Sequence, residues 1–148
     1  MKNLDFDVVK EDVFHTLKNN LSIVLATSCN NRVTAREVYF ASNGFTIYFV
    51  TSKAYEKYKQ IEKNSNVALC INNIQMEGVA SIKGHPNQPE NKDALNICIN
   101  KNKEAFERYV KHKNTVLIEI LVRRVEIWKN NGREYLDIEK SEAYRIGK

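Results

Sequence analysis

No run in this sequence approaches the roughly 18 consecutive apolar residues that a membrane-crossing helix requires, and the opening MKNLDFDVVKED is acidic, without a hydrophobic leader segment. The expectation is a cytoplasmic protein with no membrane partner. Cysteine is scarce: Cys29, Cys70 and Cys98 are odd in number and widely spaced, with no Cys-x-x-Cys pair to hold zinc or run dithiol chemistry. Free buried thiols are expected. His15, His85 and His112 are equally scattered, none at a spacing that would join a second ligand type, so no metal is predicted. The only prolines, Pro86 and Pro89, fall in one short stretch, GHPNQP, which reads as a loop. No internal repeat, linker or low-complexity tract interrupts the chain, so residues 1–148 are expected to form a single domain.

A long run of like charge is also missing. The net charge is +5 and the pI near 9.1, enough to make nucleic acid a candidate, but acids are interleaved with bases nearly everywhere. The exceptions, the segment after Thr51 and the pair Arg123–Arg124, are too small for a stripe that tracks a phosphate backbone. A nucleic-acid partner is therefore not expected; one phosphate on a small ligand is a better match in scale.

What is present is β-strand pattern with a few helices. Val9, Val13 and Leu17 recur at helical spacing, which predicts a helix over about Lys10 to Asn19. LSIVLATS and RVTAREVYFA are β-branched runs on either side of Asn30–Asn31. The second ends at Asn43–Gly44, and FTIYFVT follows with alternating Phe45, Ile47 and Phe49. After YEKYKQIEK, the runs NVALCINN and QMEGVASIKG read as a hairpin, and Leu95, Ile99, Phe106 and Val110 predict two short helices broken near Asn100–Asn102. In TVLIEILVRRVEIWK the apolar parity changes at Arg123–Arg124, which implies a bulge or a change of buried face, because strand side chains alternate with a period of two. GREYLDI returns as a final strand. The class is mainly β: six to seven mostly antiparallel strands with short helices, closed or nearly closed into a barrel to hide the sheet edges. Strands that are apolar on both parities imply a second buried face, which a subunit interface would supply.

The seam TSKAYEKYKQ passes from strand to lysine-rich helix within a few residues. A strand end followed by a helix start gathers unpaired N–H groups and the positive end of the helix dipole, which suits an anion. A solvated helix face is the other reading.

The ordered series from SIVLATSCNNRVTAREVYF through TSKAYEKYKQ to IQMEGVASIKGHP, with VEIWKNNGREYL near the end, resembles the FMN-binding split-barrel proteins related to pyridoxamine 5′-phosphate oxidase. The resemblance implies a split β-barrel, a homodimer with two flavin sites at its interface, and FMN as cofactor. It implies that Thr34, Ala35, Arg36, Glu37 and Val38 face the ring and ribityl chain. The phosphate grip falls on Val50, Thr51, Ser52, Lys53 and Lys57, with the two ammonium groups one helical turn apart. Tyr55 and Glu56 stand where the family commonly has serine and arginine. Gln75 matches an amide given to the flavin, and Trp128 lies in the segment that crosses to the partner's site.

Arg133 matches an arginine that helps hold substrate phosphate, but Tyr135 and Asp137 replace the histidine and arginine expected nearby, so oxidation of pyridoxamine phosphate itself is not expected. The reading is an FMN-dependent oxidoreductase acting with an electron donor on a small planar substrate that the sequence does not define, and no side chain is assigned a catalytic role. The alternative is a non-catalytic protein holding a flavin or haem.

Overall fold

The computed structural model describes residues 1–147, and ten strands and four α-helices account for most of them. Strand β1 (Lys2–Leu4) leads into α1 (Phe6–Lys18). Then come β2 (Ser22–Cys29), β3 (Arg32–Tyr39), β4 (Ala41–Asn43), β5 (Thr46–Ser52) and α2 (Glu56–Lys63). Strands β6 (Asn66–Ile71) and β7 (Ile74–Ile82) precede α3 (Lys92–Lys101) and α4 (Lys103–Val110). The chain ends in β8 (Thr115–Lys129), β9 (Gly132–Asp137) and β10 (Glu142–Ile146). The strands beyond the six to seven expected are short: β1, β4 and β10 add three, three and five residues.

Helix α1 starts four residues before the expected Lys10. The reason is Asp5, whose carboxylate accepts from the Asp7 N–H at 2.9 Å and the Val8 N–H at 3.4 Å and so caps the first turn. Val9, Val13 and Leu17 face the core, as their spacing requires. Asp5→Ala is expected to cost about 1 kcal/mol of stability, read as a shift of the urea midpoint with an unchanged slope.

The hairpins form where the asparagine turns lie. Asn30 and Asn31 take φ of 53° and 66° between the paired residues Cys29 and Arg32, and Asn72 (φ 51°) turns β6 into β7. Both are two-residue connections whose left-handed backbone suits asparagine. All strand pairs are antiparallel, and the sheet runs β1-β10-β9-β8-β7-β6-β2-β3, with β5 joining on β8 and β4 on β5. Among the described residues no β3–β5 ladder closes the ring, so the barrel is split.

Strand β8 organises this arrangement. It pairs with β7 on one side, and on the other with β5 over Thr115–Leu121 and then with β9 over Arg124–Lys129. The register against β7 slips between Glu77 and Gly78, whose partners are Arg124 and Val122, so Arg123 is the extra residue. This is the bulge that the parity change implies. Gly78 faces it: a Cβ there would lie 2.8 Å from both Ile120 Cγ2 and the Leu121 carbonyl oxygen, leaving no room for a side chain.

The barrel core is built on Leu25, Ile47, Phe49, Leu69, Met76 and Ile118, closed at its ends by α1 and by Ile61 of α2. The second buried face of β5 is covered within the chain: Tyr48 and Val50 pack against Cys98, Ala105 and Phe106 of α3 and α4. At β5, then, no second subunit is needed to explain the double apolar parity. The thiols depart from the expectation: Cys98 is buried, but Cys29 is half-buried and Cys70 exposed on the outer face of β6. Burial pushes the Cys98 thiol up to about 12. No helix among the described residues is long and apolar enough to cross a membrane.

Candidate functional site

A cleft of about 330 Å³ opens where β3, β5, the start of α2 and α4 meet. Glu37, Val38 and Tyr39 form one wall, Val50 and Thr51 the floor, Tyr55 and Lys57 one end, and Phe106 and Tyr109 the far side. Thr51 is 2% exposed, and its Oγ1 is the one buried side-chain polar atom among the described residues without a hydrogen-bond partner. A buried hydroxyl left unpaired is costly, and one facing a cleft marks where a ligand atom would complete it.

The backbone beyond Thr51 is arranged for an anion. Ser52 Oγ accepts from the Ala54 N–H at 3.2 Å, and the Tyr55 N–H bonds the Ser52 carbonyl at 3.2 Å, so the chain turns sharply into α2. Tyr55 occupies the N-cap position, and no side chain caps the helix. The N–H groups of the first turn therefore lack a capping acceptor, and the positive end of the helix dipole faces the cleft.

The cations follow a division that the sequence does not reveal. Glu56 pairs with Arg32 and points away from the cleft. Lys57 turns in, with its Nζ 4.9 Å from the Tyr55 ring centroid. Burial, and then the nearby Arg36 charge, pull its pKa below the usual lysine value. Arg36 is also lowered by burial. Among the described residues neither forms an ion pair with a carboxylate, although most other partly buried charges do. Two partly desolvated cations side by side without an acid are destabilising until an anion joins them.

Strand register sorts the remaining candidates, because directly paired residues share a face. Thr34, Arg36 and Val38 pair with Thr27, Leu25 and Ile23 on the inner face. Ala35 and Glu37 belong to the outer face, where a row runs Glu37–Val24–Cys70–Gln75–Glu126–Tyr135 across six strands. Gln75 and Trp128 line a separate hollow of about 150 Å³ on that face. Arg133 lies 4.6 Å over the Trp128 ring and 3.4 Å from Glu126. Within one chain, therefore, Glu37, Val38, Val50, Thr51 and Lys57 come together, with Thr34 and Arg36 behind them, while Gln75, Trp128 and Arg133 form a second cluster. Ser52 shapes the turn.

Lys53 is a correction. Helix α2 begins at Glu56, so Lys53 lies ahead of it, is exposed, and is not one helical turn below Lys57. The aromatic walls Tyr39, Tyr55, Phe106 and Tyr109, and the buried Gln60 below them, were not singled out as site residues. For the aromatics, Tyr39 at the end of β3, Tyr55 before α2 and Phe106 and Tyr109 on α4, the only sequence signal is their residue type, which core packing produces equally well. No three His, Cys, Asp or Glu side chains among the described residues form a metal-holding group.

Residues 9–129 match the family described as pyridoxamine 5′-phosphate oxidase. No curated protein matches the chain. The General Stress Protein 26 of Bacillus anthracis str. Sterne superposes with a TM-score of 0.67 at 22% identity, over 93% of this chain and 98% of that one. HutZ, the haem storage protein of Vibrio cholerae, superposes with a TM-score of 0.69 at 12% identity, over 79% and 92%. An FAD-binding protein of Mesorhizobium loti gives a TM-score of 0.64 at 13% identity, over 78% and 90%. At such identities the likeness to these three is one of fold.

Proposed function

The chain belongs to the pyridoxamine 5′-phosphate oxidase family, and from that premise we propose that it is an FMN-dependent oxidoreductase whose substrate is not pyridoxamine phosphate. The observation that carries the reading is the unpartnered Thr51 hydroxyl on the floor of a cleft lined by Lys57, which, like the neighbouring Arg36, forms no ion pair among the described residues. The donor set fits a flavin phosphate: one hydroxyl, one ammonium, the uncapped first turn of α2, and the guanidinium behind them. Bound FMN would supply the hydride and electron chemistry. In the cleft, Thr51, Lys57 and the first turn of α2 would hold its phosphate, and Glu37, Val38, Phe106 and Tyr109 would line the space left for its ring.

The cleft is at the small end of the range for cofactor pockets, which supports a homodimer in which Gln75 and Trp128 of the partner subunit complete it. The outer face carries the apolar surface such a dimer needs: Val33 is 69% and Trp128 60% exposed. Arg133 is held by Glu126, which also accepts from the Tyr135 hydroxyl at 2.9 Å. A guanidinium already neutralised is a poor receptor for a substrate phosphate, which favours a neutral planar substrate. The second reading, a non-catalytic flavin or haem holder, gains from the likeness in fold to HutZ and the FAD-binding protein. Against haem, no histidine lines the cleft, although Tyr39, Tyr55 and Tyr109 do.

The test is a visible spectrum of the purified protein, then titration with FMN and anaerobic addition of a reduced nicotinamide dinucleotide. Flavin bands that bleach are expected. A colourless protein that refuses micromolar FMN overturns the reading, and bound flavin that no donor reduces leaves the holder. Thr51→Val is expected to leave the thermal midpoint of the flavin-free protein unchanged or higher while weakening FMN about fivefold, because it removes a group that only a ligand satisfies.

A further inference from the structure

Gln60 is 4% exposed on the inner side of α2, one turn after Lys57. Its Oε1 accepts from Thr27 Oγ1 at 2.5 Å and Thr34 Oγ1 at 2.7 Å, and its Nε2 donates to the Arg32 carbonyl at 3.3 Å. The same two hydroxyl oxygens accept from Arg36, at 2.9 Å from Thr27 and 2.5 Å from Thr34, and Arg36 also reaches the Leu25 carbonyl at 3.3 Å. Donor and acceptor counting fixes the direction of each bond to Arg36 and Gln60, while the Thr27 and Thr34 hydroxyl oxygens, 3.4 Å apart, could exchange one bond in either direction. A guanidinium only donates, so both threonines must accept from it. Each has a single proton, which must then go elsewhere, and the only acceptor common to both is Gln60 Oε1. The amide is thereby oriented with its nitrogen on the Arg32 carbonyl; with the amide flipped, one threonine could donate to the other across 3.4 Å, but the second hydroxyl proton would have no acceptor in the network.

We propose that Gln60 is the positioning residue that holds the Arg36 guanidinium beside Lys57 through the Thr27 and Thr34 hydroxyls, so that the helix carrying one cation of the anion site also sets the other. The proposal rests on the flavin-phosphate reading for its consequence and not for its geometry. A side chain that merely filled space under α2 would not need to accept from two hydroxyls at once. The acceptor turns both O–H protons toward α2, which leaves the threonine lone pairs aimed at the Arg36 guanidinium. The selectivity follows: losing Gln60 should harm recognition of the phosphate and leave recognition of the ring intact.

The experiment compares FMN with riboflavin, which lacks the phosphate, in the full chain carrying Gln60→Met, Arg36→Met or both. It also follows the ¹⁵N guanidinium signals of Arg36 in the flavin-free protein. Expected are about a tenfold loss for FMN in Gln60→Met with riboflavin nearly unchanged, no further loss when Gln60→Met is added to Arg36→Met, and collapse of the resolved Arg36 signals. Gln60→Glu keeps the double acceptor and should keep those signals, while its negative charge still weakens FMN. Should Gln60→Met fail to fold, Thr34→Val cuts the same link at a half-buried position and is expected to release Arg36. Equal losses for FMN and riboflavin, additive losses in the double variant, or Arg36 signals unchanged in Gln60→Met or Thr34→Val would each overturn the proposal. If the wild type binds neither flavin, the functional reading fails, and the guanidinium signals still decide the role of Gln60.

Discussion

Replacing Lys57 by glutamate is expected to weaken FMN binding at least about 100-fold. A hydrogen bond to a charged group is worth about 1.5–3 kcal/mol, and each 1.4 kcal/mol is a factor of ten. The substitution also sets a carboxylate against a dianion in a partly desolvated cleft, where screening is weak. Lys53→Glu provides the control. It changes net charge equally but sits in solvent ahead of α2, so its effect should stay within about threefold and vanish with added salt. Titration by quenching of flavin fluorescence at two ionic strengths separates the two variants. Equal losses would mean that the phosphate is drawn by general charge and not seated at the first turn of α2.

Phe49→Ala should remove about 3–5 kcal/mol of stability. The ring is fully buried in the barrel core, on the strand that pairs with the first half of β8. A cavity of that size would consume much of the 5–15 kcal/mol by which domains are ordinarily stable. The next two residues, Val50 and Thr51, line the cleft from the same strand, so the loss should be partly restored by saturating FMN, which binds the folded state alone. Urea midpoints with and without FMN measure both effects. A variant as stable as the wild type would contradict the packing of β5 described above.

Local chemistry accounts for what the sequence made legible. The asparagine turns, the break between α3 and α4 at Asn102, and the bulge at Arg123 all leave marks within a few residues, because φ preference and side-chain alternation are local properties. The start of α1 was misjudged because the cap, Asp5, precedes the apolar repeat by four residues. The site was legible only as a resemblance and a seam. Glu56 stands where the family has arginine, and its role depends on Arg32, 24 residues earlier in the chain, reached across the β2–β3 hairpin turn. Gln60 looked like one more polar residue on a wet helix. Its meaning comes from three partners on two other strands, and no window of sequence contains them. Lys53 and Lys57 looked equivalent by spacing, but spacing has helical meaning only after the helix has begun.

Between Ile118 and Ile127 strand β8 is gripped on both flanks, by β7 on one side and by β5 and then β9 on the other, with the hand-over at Arg123. Amides held this way exchange with solvent only when a whole neighbour departs. In deuterium, Ile118 to Ile120 and Val125 to Ile127 should be the last positions to lose their protons, and the residues around Arg123 should let isotope in early, splitting one long strand into two slow segments divided by a leak.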